Sequence, residues 1–70
     1  MGAEILLKFG KKIRKLRLEK NLSQEELAER TGFHRTYIGM VERGERNISL
    51  KNIERFAKVF KLKIDELVNF

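Results

Sequence analysis

The amino-acid sequence predicts an all-α fold, a compact five-helix bundle of short helices crossing at steep angles, and three observations carry that expectation. Apolar residues recur at spacings of three and four, as in Leu6, Phe9, Ile13 and Leu16, the period of a helix with one buried face. Helix-start signals at Ser23 and Ser49 alternate with helix-stop signals at Asn21, Gly32 and Gly44. Nothing beyond the short KLKID reads with period two, so no strand competes. Such short helices with tight linkers suit an orthogonal packing rather than a long up-and-down bundle. No repeat, linker or low-complexity segment divides the chain, and residues 1–70 read as one domain.

The first helix is expected over Ala3 to Lys20, with Leu6, Phe9, Ile13 and Leu16 inward and Lys8, Lys11, Lys12, Arg14 and Lys15 solvated. Asn21 suits the left-handed residue that ends it. Ser23 and Glu26 form an S-x-x-E capping box at the start of the second helix, with Leu22 and Leu27 as its hydrophobic staple. Ala28 lets another helix cross closely, and Gly32 stops the second helix where the chain needs a positive φ. Phe33, Ile38 and Val41 then pack a third helix back against Leu27, ending near Glu42 and Arg43 with Gly44 as its cap. Two helices joined this way form a helix-turn-helix, whose second helix usually enters the DNA major groove. Ser49 caps a fourth helix, stapled by Ile48 and Ile53, with Leu50, Ile53, Ala57 and Phe60 inward and Phe56 beside them. A last helix is expected over Ile64 to Asn69 with Leu67 inward; Lys63 is a poor cap, which makes it the least stable.

Composition excludes several classes of function. The 70 residues hold no cysteine and one histidine, which rules out a disulfide framework and gives no donor set for a metal. No apolar run approaches the ~20 residues of a membrane span. The opening MGAEILLKF lacks the layout of a secretory signal, and Leu6 spoils a myristoylation motif at Gly2, so a cytoplasmic protein is expected. No Cys/His, Ser/His/Asp, glycine-rich phosphate loop or H-E-x-x-H pattern occurs, so neither catalysis nor a cofactor is expected. The net charge of +6 is unevenly placed: residues 1–20 carry seven basic and two acidic side chains, residues 21–34 one and three. A basic domain of this size suits a polyanionic partner, most often nucleic acid.

With Ile38 and Val41 inward, the third helix leaves His34, Arg35, Thr36, Gly39 and Met40 outward and Tyr37 at the edge. Arg35 has the planar fork that fits guanine O6 and N7, Thr36 suits a thymine methyl or a phosphate, and Gly39 removes bulk facing the DNA. Tyr37 and Met40 complete the base-reading set. Gln24, at the first turn of the second helix, suits a phosphate oxygen. Arg43, Arg46 and Asn47 are placed to clamp the sugar-phosphate track, with Lys51 and Asn52 as weaker backbone contacts. His34 reads first as a cap or an exposed residue, within reach of the backbone. Arg17 is tempting as a phosphate binder, yet a partly buried ion pair with Glu42, tying the first helix to the third, is favoured.

The run FGKKIRKLRLEKNLSQEELAERTGFHRTYIGMVERGERNISLKNIERFAKVFKLKIDEL closely resembles the phage-repressor/Cro-like helix-turn-helix family over nearly the whole chain, with Gln24, Leu27, Ala28, Gly32, Phe33, Ile38 and Val41 at its defining positions. Within it, HRTYI followed by ERGERNIS is most similar to the controller proteins of restriction–modification systems. That resemblance implies a small dimeric regulator on paired operators. It also implies base or backbone contacts from Arg35, Thr36 and Tyr37, backbone contacts from Gln24, Arg43, Arg46 and Asn47, and the Arg17–Glu42 pair. Double-stranded DNA is thus the expected partner. One recognition helix touches too few base pairs for specificity, so a homodimer is expected, with Val59, Val68 and Phe70 as its apolar surface. A protein-interaction module such as an antitoxin on the same fold is the competing class; the outward Arg35–Thr36–Tyr37 cluster and the positive charge favour DNA.

Overall fold

The computed structural model describes residues 2–70. Among them five helices follow in order: α1 (Gly2–Glu19), α2 (Gln24–Thr31), α3 (Arg35–Glu42), α4 (Leu50–Phe60) and α5 (Ile64–Leu67). The described residues include no strand, and none of their helices is long and apolar enough to cross a membrane.

The helix ends follow from local chemistry. Ser23 Oγ accepts the Glu26 N–H at 3.0 Å, and Glu26 Oε1 accepts the Ser23 N–H at 2.8 Å, closing the capping box. The Ser23 backbone and hydroxyl hold the Glu26 carboxyl below the usual carboxylate range. Gly32, at φ 81°, ends α2 and donates its N–H to Ala28 O at 2.8 Å. Asn21 takes φ 56° after α1, and Gly44 takes φ 73° after α3. Lys61 also sits in the left-handed region, at φ 57°, ending α4 with no glycine to mark it. The fifth helix stops at Leu67, two residues short of the expected Asn69. Glu66 reaches back to the Lys63 N–H at 2.9 Å, but the Lys63 ammonium has no lone pair to return the bond, so only half a capping box forms.

Leu27, Ile38, Ile13, Phe56 and Leu67 are wholly buried, with Phe9, Leu22, Ala28, Val41, Ala57 and Phe60 around them. Phe56 is at the centre of the core and meets Phe9 edge-on at 6.2 Å and Phe33 at 5.2 Å. Leu50, expected inward, is 70% exposed. It lies at the first turn of α4 and on the flank of the Ile53–Phe56–Ala57–Phe60 stripe, where no element reaches over it. Leu6 and Leu16 are only partly buried, Leu16 packed against the edge of the core.

α1 crosses α3 at Gly10, which the apolar pattern does not mark. A Cβ there would fall against the backbone carbonyl oxygens of Val41 and Glu42, the second at 2.6 Å, so only glycine lets the two backbones meet. Gly10→Ala is therefore expected to cost about 1–3 kcal/mol or more by forcing the helices apart. Leu50→Ala should stay within about 0.5 kcal/mol of the parent. Urea melts of the two variants check both, and equal losses would contradict this account of the crossing.

Candidate nucleic-acid interface

α3 begins with an imidazole cap. His34 Nδ1 accepts the Thr36 N–H at 3.1 Å, and the His34 carbonyl accepts from Tyr37 and Ile38. The ring is therefore engaged at one nitrogen in fixing the helix start. Arg35 and Thr36 follow in its first turn with both side chains exposed. No acidic residue lies in that turn, so the positive end of the helix dipole is left to an outside anion.

The far end of α3 is fastened from three directions. Glu42 accepts from Arg17 Nε at 2.6 Å, from Arg17 Nη2 at 3.1 Å and from Gln24 Nε2 at 3.1 Å. Arg17 Nη1 donates to Leu22 O at 2.8 Å, tying the same guanidinium to the chain between α1 and α2. The Arg17 and Glu42 side chains are only 10% and 4% exposed. No buried side-chain nitrogen or oxygen among the described residues lacks a partner. Gln24 thus contributes one amide N–H to the frame of the motif and is half-buried rather than fully turned to an outside phosphate.

Tyr37 is half-buried and anchored. Its ring lies 4.8 Å from Phe33, its hydroxyl accepts from Asn52 Nδ2 at 3.0 Å, and the Arg46 guanidinium lies 5.6 Å over its face. Asn52, expected to touch the backbone, therefore acts first on Tyr37. Arg46 is brought to the same surface as a cation stacked on an aromatic ring. Lys51 is not brought there: it lines a shallow cleft with Leu50, Glu54 and Ile64. Asn47 is exposed beside Arg46 but lines an apolar groove, described below. Met40 is half-buried.

Gly39 corrects the expectation drawn for it. It is buried, because Arg43 and Gln24 cover it: a Cβ there would lie 3.0 Å from Arg43 Nη1 and 3.7 Å from Gln24 Oε1. Arg43 also bonds Glu45 twice, Nε to Oε2 at 2.9 Å and Nη2 to Oε1 at 3.2 Å. That bond raises the Arg43 pKa and lowers that of the Glu45 carboxyl.

A groove of about 300 Å³ runs between Ile5, Leu6 and Phe9 of α1, Asn47 and Ile48, Ile53, and the terminal Val68 and Phe70. Lys12 Nζ donates to Asn69 O at 3.2 Å and holds that terminus against α1. Ile5, Val68 and Phe70 are exposed. Val59 is not among the walls of the groove; it is half-buried against the core, since α4 turns it toward neighbouring side chains. Ile5, not marked by the inward stripe, stands four residues before Phe9 at its edge, and i,i+4 spacing is the signal that would have found it.

The sequence pattern of the helix-turn-helix family matches residues 13–67. The control protein C.BamHI of Bacillus amyloliquefaciens is 48% identical over 71 aligned positions, covering 100% of this chain and 88% of its own. The crystal structure of the restriction-modification controller protein C.AhdI from Aeromonas hydrophila superposes with a TM-score of 0.84 at 50% identity, covering 89% of this chain and 94% of that one. The biofilm master regulator SinR, solved in complex with DNA, superposes with a TM-score of 0.80 at 31% identity, covering 87% and 98%.

The Arg17–Glu42 frame has a measurable consequence. Removing either partner leaves the other charge buried and should destabilise the fold by up to ~3–5 kcal/mol. A double-mutant cycle in urea should give a coupling energy of about 0.5–3 kcal/mol, and additive single losses would show that the pair does not support α3.

Proposed function

The chain belongs to the helix-turn-helix family, and from that premise we propose that it is a sequence-specific DNA-binding regulator of transcription, of the restriction–modification controller kind, acting as a homodimer. The observation that carries the reading is the first turn of α3, where exposed Arg35 and Thr36 stand on a helix fixed at its start by His34 and at its end by Glu42. A held helix of this kind presents its polar groups to base edges without ordering them anew, which favours specificity. Arg35 reads guanine in the major groove, with Thr36, Tyr37 and Met40 beside it. Gln24, His34, Arg46 and Asn47 contact the backbone. The net charge of +6 supports long-range attraction to the duplex.

Dimerisation is supported by the apolar groove that Val68 and Phe70 share with Ile5, Ile48 and Ile53. Two copies meeting there double the contacts and set two recognition helices about one helical turn, ~34 Å, apart on a pseudo-palindromic duplex. The partner surface thus includes α1, not the last two helices alone, and Val59 contributes less to it than Val68 and Phe70.

Arg35→Ala is expected to weaken binding to the preferred duplex by about 1–3 kcal/mol while leaving binding to random DNA nearly unchanged. Fluorescence anisotropy on both duplexes checks this; equal losses would reduce Arg35 to a phosphate contact. Sedimentation should show a dimer at micromolar concentration that Phe70→Ala and Ile5→Ala shift toward monomer. A monomer with one chain per duplex would sink the dimer.

A further inference from the structure

Arg43 follows the last residue of α3, where an arginine ordinarily reaches outward to the phosphate track. Here it stays at the surface but folds back along the helix over residue 39. Helical side chains lean toward the N-terminus, so residue 43 covers residue 39, and Arg35, residue 39 and Arg43 share one ridge at spacings of four. Residue 39 is glycine, and the Arg43 guanidinium lies over it, Nη1 standing 3.0 Å from where a Cβ would be. Glu45 takes the Nε–H and one Nη2–H, at 2.9 and 3.2 Å. An arginine has five N–H donors, so the end fork remains: two hydrogens on Nη1 and one on Nη2. Among the described residues, Nη1 of Arg43 makes no hydrogen bond.

Building on the DNA-binding reading above, we propose that Arg43 is a second base-reading arginine of the recognition helix, seated on Gly39 and aimed by Glu45, with a guanine edge as its ligand. Two features separate this from a phosphate clamp. A carboxylate bonded along one side of the guanidinium repels a phosphate approaching the same group, whereas a neutral base edge suffers no such repulsion. A clamp also gains from a side chain free to swing to the backbone, while two bonds to Glu45 draw this one back along the helix surface over Gly39, a direction suited to readout of O6 and N7. Glu45 is a positioning residue. Gly39 has a role different from open access to DNA: it is the seat that lets the guanidinium lie flat.

The test selects duplexes from a randomised pool with the full chain, as wild type, Arg43→Ala, Glu45→Gln and Gly39→Ala, and then measures binding against salt. Arg43→Ala is expected to erase preference for guanine at one position per half-site, a change of about 5- to 150-fold there, with other positions kept. Glu45→Gln should flatten the same position while the rest of the profile holds, a readout that a merely structural role would not move. Gly39→Ala should do likewise and still fold, since the atom that must yield is the end of a flexible side chain. Should it fail to fold, Arg43→Ala decides alone. Equal weakening of Arg43→Ala on every sequence, with the salt slope falling by about one per chain, would make Arg43 a phosphate contact and overturn the proposal. An unchanged profile would overturn it too. A wild-type chain that selects no sequence at all would overturn the regulator reading as well, which separates the two failures.

Discussion

The placement of α3 depends on the carboxylate of Glu42. A negative charge on the last residue of a helix is disfavoured by the helix dipole, and burial makes it costlier still. Both penalties are offset by Arg17, which meets the carboxylate along two N–H bonds and reaches Leu22 O with a third. Gln24 completes the shell. One anionic group thereby connects α1, the α1–α2 turn, α2 and α3, and the Glu42 backbone carbonyl lies at the Gly10 crossing. The arrangement also polarises α3 usefully. Its negative end is neutralised inside the protein, while its positive end, bearing Arg35, is free to face a polyanion.

A second line of order runs from the core to the surface through aromatic rings. Phe9 packs on Phe56, Phe56 on Phe33, and Phe33 on Tyr37. Tyr37 is then held from outside by Asn52 and covered by Arg46. Arg55 lies 5.3 Å over Phe33 and donates to Thr31 O at 3.5 Å, closing the far side of the same stack. Thr31 itself turns its hydroxyl to Leu27 O at 2.9 Å, which lets a polar residue be buried at the end of α2. The surface proposed for DNA is therefore an extension of the core, and ring packing limits how far Tyr37 moves relative to α4.

What the sequence made legible is whatever short-range chemistry decides. Ser23 with Glu26, Asn21, Gly32 and Gly44 are each fixed by a local rule of donors or of φ, and the structure has them where that rule puts them. The Arg17–Glu42 pair was legible because two oppositely charged residues stand at ends that the motif brings together. Tertiary packing decided the rest. Gly10 fits the apolar stripe no better than its neighbours, and only the depth of the α1–α3 crossing shows why it is glycine. Leu50 sits on the flank of its stripe and lies beyond the last layer that covers it. Gly39 faces outward by helix phase, but a side chain four residues later folds over it, which periodicity does not register. The last helix ends at Leu67, short of the Asn69 that periodicity suggested, and its N-cap Lys63 offers no acceptor to its first turn.

The loop from Glu45 to Ile48 joins the face proposed for DNA to the groove proposed for a second copy. Arg46 stacks on Tyr37, while Asn47 and Ile48, the next two residues, form part of the apolar groove. A second copy seated in that groove, as proposed, would therefore press on residues directly bonded to those proposed to face DNA. Rotating one copy against the other would shift Ile48, and with it the backbone carrying Arg46 over Tyr37. In the proposed dimer, the angle between subunits and the presentation of the proposed reading side chains would thus be coupled through two peptide units. In a dimer of this kind, half-site spacing and base preference are linked properties: a change at Ile48 made to alter packing would also move Arg46 relative to the DNA backbone.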